Sequence, residues 1–170
     1  MDKGTFYMNA LARLGDHNDV IGTDEHIACE AFAQHAIAVC LDYSGWSWST
    51  MRTTITFTDG QAHLPADCLR LLSVSLPRYE IHGRTIYSPD AKEAVITYAS
   101  NTFIDTVTLP DYEPLFCEAC ILTLAAMIAP RITNNLSLAA SLKQEAMEKL
   151  RMAKLKDARS IDSNDQLPEL

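Results

Sequence analysis

Arg52-Thr53-Thr54-Ile55-Thr56-Phe57-Thr58-Asp59-Gly60 is the stretch on which the fold turns. Its apolar side chains come at every second position, Ile55 and Phe57 on one side and Thr54, Thr56 and Thr58 on the other, which is the period of a half-buried strand. Asp59-Gly60 then supplies the dipeptide that a two-residue hairpin turn needs, because both central residues take positive φ. Downstream, Leu69 to Leu76 predicts a second strand. Tyr79-Glu80-Ile81 and Arg84-Thr85-Ile86-Tyr87 predict a hairpin turning at His82-Gly83, and Ala94 to Tyr98 a further strand. Several short strands in one region predict a single antiparallel sheet, which needs helices to cover it.

On both sides of this region the period becomes helical. Phe6 to Leu14 predicts a short helix with Met8, Leu11, Ala12 and Leu14 on its apolar side and Gly15 at its end. Thr23 is placed to cap a second helix, Asp24 to Asp42, with Asp24 and Glu25 favouring its dipole. Ile27, Ala31, Ala38 and Leu41 mark its predicted core face, with Ala28, Phe32 and Val39 beside it. Trp46 and Trp48, the only tryptophans, follow at its exit and are expected to seal the sheet against the helices.

Past Leu109-Pro110, a strongly apolar helix is predicted from Asp111 or Glu113 through Ala129, stopped by Pro130 and central to the fold. A long fourth helix runs from Ser137 to about Arg159, with Leu138, Leu142, Ala146, Leu150 and Ala153 as its stripe. Ser160 to Leu170 is polar and acidic, holds Pro168, and reads as an extended tail. The fold class is α+β: an antiparallel bundle of about four helices with an inserted small antiparallel β subdomain and an extended C-terminal tail. Its segments are 1–48 and 109–159 for the helices, 49–108 for the insertion, and 160–170 for the tail.

Composition narrows the function. With 48% hydrophobic and 21% charged residues, the chain is neither disordered nor fibrous. Fourteen Lys and Arg against 22 Asp and Glu give a net charge of −8, which argues against a broad grip on nucleic acid. Five cysteines in a chain of 170 residues read as reduced core thiols of a cytosolic product. The start holds no apolar run of signal-peptide length, and Leu115 to Ala129 is short for a membrane span and carries Glu118. A soluble intracellular protein with no membrane partner is expected.

Motifs for chemistry are sparse. Cys117-Glu118-Ala119-Cys120 has metal-ligand spacing, but no second pair exists and His17, His26, His35, His63 and His82 are scattered. There is no Gly-rich phosphate loop and no Gly-x-Ser-x-Gly turn among the six glycines. The expectation is a protein without catalytic residues, metal or cofactor. The last helix is different: Lys143, Lys149, Arg151, Lys154 and Lys156 concentrate positive charge on an acidic chain. They form a candidate oligomer interface, since a basic helix and an acidic body can join head to side into a ring.

The order of landmarks completes the reading. They are Ala10-Leu11-Ala12-Arg13-Leu14-Gly15, Gly45-Trp46-Ser47-Trp48, Leu64-Pro65-Ala66-Asp67-Cys68-Leu69-Arg70 and Gly83-Arg84-Thr85-Ile86-Tyr87, followed by Tyr98, Leu109-Pro110 and a charged helix ending at Ala158-Arg159. Over nearly the whole chain this series resembles the head-to-tail adaptors of short-tailed bacteriophages, the tail tubular protein A group. The resemblance implies a virion protein at the head–tail interface, assembled in the host cytoplasm. About a dozen copies would form a ring between the portal protein and the tail nozzle protein, with a channel that DNA crosses during ejection without specific binding. It also implies a portal-binding tail, here Ser160, Ile161, Asp162, Leu167, Pro168 and Leu170. Two other readings stand beside it. One is a cytoplasmic small-ligand-binding or regulatory domain, and the other a metal-dependent redox protein using Cys117 and Cys120.

Overall fold

Capping side chains set where the helices begin in the computed structural model, which describes residues 1–15 and 20–164, with side chains through residue 158. The Asp2 carboxylate accepts the Thr5 amide at 2.8 Å, so helix α1 runs Lys3–Ala12, earlier than the apolar pattern predicts. Its buried side is Phe6, Tyr7, Ala10 and Leu11, while Met8 is exposed, which corrects the expected stripe. Thr23 accepts the His26 amide through Oγ1 at 3.3 Å and starts α2, Asp24–Asp42, at the predicted boundaries. A short helix α3, Thr102–Thr106, has no counterpart in the sequence reading. It is one turn long and buries no side chain.

Helix α4 spans Pro114–Ile132, with proline in its first turn where its missing N–H costs nothing. Pro130 does not end it. The proline sits in the last turn, where it removes one intrahelical bond, and the Thr133 amide still closes on the Ala129 carbonyl at 2.9 Å. By length and composition α4 could cross a membrane, and it is longer than the apolar run in the sequence predicts. Here it is the central helix, packed against α1, α2 and α5 with Phe116, Leu122, Leu124 and Ile128 fully buried.

Asn135 caps α5, Leu136–Asn164, by accepting the Leu138 amide at 3.0 Å. Of the expected stripe, Leu142, Ala146, Leu150 and Ala153 are buried and Leu138 only half-buried, and Asp157 continues it. The extended tail is corrected in part. Ser160, Ile161 and Asp162 lie on helical backbone, because no glycine or proline interrupts the chain until Pro168. Residues 165–170, and with them Leu167, Pro168 and Leu170, lie outside the described residues.

The chain divides into two units, Met1–Ser44 with the chain from Phe103 onward, and Gly45–Thr102. The helical unit holds α1, α2, α4, α5 and nearly all of α3; the second unit holds the strands. The strands are β1 Thr50–Thr56, β2 Gln61–His63, β3 Cys68–Val74, β4 Glu80–His82, β5 Thr85–Tyr87 and β6 Glu93–Ser100. They form two three-stranded antiparallel sheets, β1-β6-β3 and β2-β5-β4, where one sheet was expected. The Asp59-Gly60 turn has the predicted positive φ at both residues, 51° and 73°, and Thr58 and Gln61 exchange backbone bonds of 2.9 and 3.0 Å. Beyond that bridge the arms part: β1 pairs with β6 and β2 with β5. Both sheets contribute to one core, built on Ile55, Phe57, Ala62, Cys68, Ile86, Ala94, Ile96 and Tyr98.

Two side chains hold the loop before β3. The Arg84 guanidinium donates to the carbonyls of Cys68 at 3.0 Å and Ala66 at 3.2 Å, and to that of Pro65. The Asp67 carboxylate accepts from the Tyr98 hydroxyl at 3.1 and 3.2 Å and from Ser100 Oγ at 3.1 Å. Trp46 and Trp48 stack with ring centroids 5.9 Å apart, and Trp46 is buried.

Candidate interaction surface

Helix α2 is rich in small and apolar residues on all sides, and packing decides which of them reach the core. Cys29, Ala33, Ala36, Ile37, Cys40 and Leu41 are fully buried. Ile27, Phe32 and Val39 are instead 45%, 37% and 41% exposed, and Ala31 beside them is exposed. The expected core stripe is thus split, with Ile27, Ala31, Phe32 and Val39 facing outward. By helical geometry Ile27 with Ala31 and Phe32 with Val39 form two outward apolar patches about 100° apart, and such patches are candidate contact surfaces.

Next to the second patch, α2 and α5 straddle α4 and leave a groove of about 420 Å³ between them. Its floor is Ala126 and Met127 of α4. Ala140, Lys143 and Met147 of α5 form one wall, and His35 and Val39 of α2 the other. The alanines keep it open, since no long side chain fills the space above α4. No carboxylate lines it.

The five candidate cations of α5, Lys143, Lys149, Arg151, Lys154 and Lys156, do not share a face. At about 100° per residue, Lys149 and Lys156 flank the buried stripe on one side and Lys143 and Lys154 on the other, with Arg151 further round. Arg151 is engaged with Glu148 on its own helix at 2.7 and 3.0 Å, and this guanidinium holds the Glu148 carboxyl below its ordinary range. Lys156 pairs with Glu113 at 3.4 Å. Lys143, Lys149 and Lys154 make no ion pair among the described residues. Sequence reasoning found the cations but not the groove, because three helices distant in sequence build it.

Cys117 and Cys120 do not act together. Cys117 Sγ donates to the Pro110 carbonyl at 3.1 Å, and burial pushes its thiol up to about 11. Cys120 is paired with Cys40 of α2 instead, and burial raises its thiol well above the ordinary value. Thiols held protonated are poor nucleophiles and poor metal ligands. Among the described residues no group of three or more His, Cys, Asp or Glu side chains could hold a metal ion. All five cysteines are buried. Ellman's reagent is therefore expected to label none of them within minutes in the native protein and all of them in guanidinium. Rapid native labelling at Cys117 or Cys120 would return the redox reading.

No protein-family model matches the chain, and no curated protein matches it.

Proposed function

We propose that this chain is a structural, non-enzymatic virion protein, a head-to-tail adaptor that works as a ring of about a dozen copies between a portal and a tail nozzle. The observation that carries the reading is the outward placement of the apolar side chains Ile27, Ala31, Phe32 and Val39 of α2. Such patches cost solubility unless a neighbour covers them. The order of elements, helices with an inserted β unit and a long charged helix at the end, supports the same reading through the resemblance in the sequence.

Charge fits a DNA conduit. A net −8 on each copy, repeated around a ring, gives a channel whose field repels phosphates, so a genome slides rather than sticks. Lys143, Lys149 and Lys154 then offset repulsion between acidic copies by meeting carboxylates of the next one, while Arg151 and Lys156 are paired with Glu148 and Glu113 of their own chain. The segment from Ser160 onward serves as an assembly arm, for which the resemblance implies the portal as partner.

Negative-stain microscopy of the chain, alone and mixed with its portal, tests the proposal. Rings stacked on the portal are expected. A particle that stays monomeric with the portal present, and whose melting temperature rises with a small metabolite, would transfer the function to the ligand-binding reading.

A further inference from the structure

We infer that the groove between α2 and α5 receives the C-terminal segment, residues 165–170, of a second copy of this chain. This deepens the proposed function by naming an interface within the ring, gives residues 165–170 a partner other than the portal that the resemblance implies for them, and rests on that reading for the presence of a second copy.

Reach keeps Leu167 out of its own groove, and only Leu170, six residues and about 20 Å past Asn164, can touch the groove's near end at Leu150. Asn164 ends α5 seventeen residues beyond Met147, about 25 Å along the helix at 1.5 Å per residue. Leu167, three residues further on, can travel back only about 10 Å even when fully extended. Lys156 pairs with Glu113, the residue just before α4, so the last turns of α5 extend past the start of the central helix, with Asp157 still buried.

The chemistries match. The segment reads Asp165-Gln166-Leu167-Pro168-Glu169-Leu170, with two leucines, two carboxylates and no cation. The groove offers an apolar floor at Ala126 and Met127, a second methionine at Met147, and Lys143 with no carboxylate beside it. Methionines adapt their shape to an incoming apolar side chain. Lys154 lies three turns beyond Lys143 on the same side of α5, extending the positive rim. A carboxylate-free recess on a chain with 22 Asp and Glu selects an acidic occupant. Groove and arm are different surfaces, so the contact is heterologous and can close into a ring.

The test uses the full chain with the photoreactive residue p-benzoylphenylalanine in place of Leu167. Irradiation is expected to give covalent dimers on a denaturing gel, with mass spectrometry placing the bond at Met127 or Met147 of the second copy. Lys143→Glu in the same background is expected to lower the dimer yield about fivefold. Bonds within one chain, bonds elsewhere on the second copy, bonds to an added portal alone, or no bonds would each overturn the assignment. Rings on the portal together with any of those results would leave the adaptor reading standing while the groove assignment falls. Dimers bonded at Met127 or Met147 that never join a portal would do the reverse.

Discussion

Asp67→Ala is expected to cost the β unit about 1–3 kcal/mol, because it strands the buried Tyr98 hydroxyl and takes one of two partners from Ser100 Oγ, which keeps Thr102 Oγ1 at 2.8 Å. Tyr98 is 5% exposed and Ser100 6% exposed, and both donate to this one carboxylate. With the acceptor gone, Ser100 can turn to Thr102, whereas the buried Tyr98 hydroxyl is left unsatisfied, and such a donor costs about 1–3 kcal/mol. Tyr98→Phe is the informative control. It removes a donor and leaves Asp67, which is only half-buried, free to be hydrated, so its cost is expected to be about 1 kcal/mol. Both tryptophans of the chain, Trp46 and Trp48, lie in this unit, so urea titration followed by tryptophan fluorescence reads its unfolding separately from the helices. The tyrosine adds a pH signature. Burial first, then the Asp67 carboxylate, raises the Tyr98 phenol above its ordinary value of 10.0. Its stabilising share is fully present below that value and is lost as pH climbs toward the folded pKa. The stability gap between wild type and Tyr98→Phe is expected to shrink above pH 10. A gap that grows there, or an Asp67→Ala variant as stable as wild type, would show that the cluster does not hold the loop before β3.

What could be read from the sequence was local. Thr23 caps α2 and Asp59-Gly60 turns the chain as their own chemistry dictates, within four residues and without help from the rest of the fold. The alternation from Thr54 to Phe57 survives for the same reason. What failed was non-local. The turn at Asp59-Gly60 implies that its arms pair throughout, yet after Thr58 and Gln61 β1 prefers β6, which gives it seven paired positions, while β2 is only three residues long. Helix α2 fails in another way. A helix apolar all round has no pattern that says which side goes inward: the spacing puts Ile27, Ala31, Ala38 and Leu41 on one core face with Ala28, Phe32 and Val39 beside it, and packing buries only Ala28 and Leu41 of these. The groove is illegible for a third reason: His35, Met127 and Met147 belong to separate helices, and only the packing of α2 and α5 on α4 brings them together. The end of α5 was missed because Ser160 to Asn164 carries weak helix formers, while the helix that precedes them is already nucleated.

The outward face of α2 gives the second large effect, and its strength is that the two readings of the same residues predict opposite results. If Ile27 and Phe32 were core residues, as the wide apolar stripe in the sequence implies, replacing both by glutamate would unfold the helical unit, since truncating a large core side chain already costs about 3–5 kcal/mol and a buried unpaired charge costs more. On the surface seen here, each side chain keeps part of its area in solvent, and Ile27→Glu with Phe32→Glu is expected to cost about 1–2 kcal/mol in total. The variant should keep its helical circular dichroism. Its assembly should not survive: two carboxylates placed in a contact between acidic copies add like-charge repulsion and remove apolar area together, and rings on the portal are expected to vanish at concentrations where wild type forms them. Ile37→Ala, at a fully buried position on the opposite side of the same helix, is expected to behave inversely, losing about 2–5 kcal/mol of stability while the protein that remains folded still assembles. Stability and assembly therefore separate by face within one 19-residue helix. If the double glutamate variant assembled as well as wild type, α2 would not be a contact surface, and the adaptor reading would lose the observation that carries it.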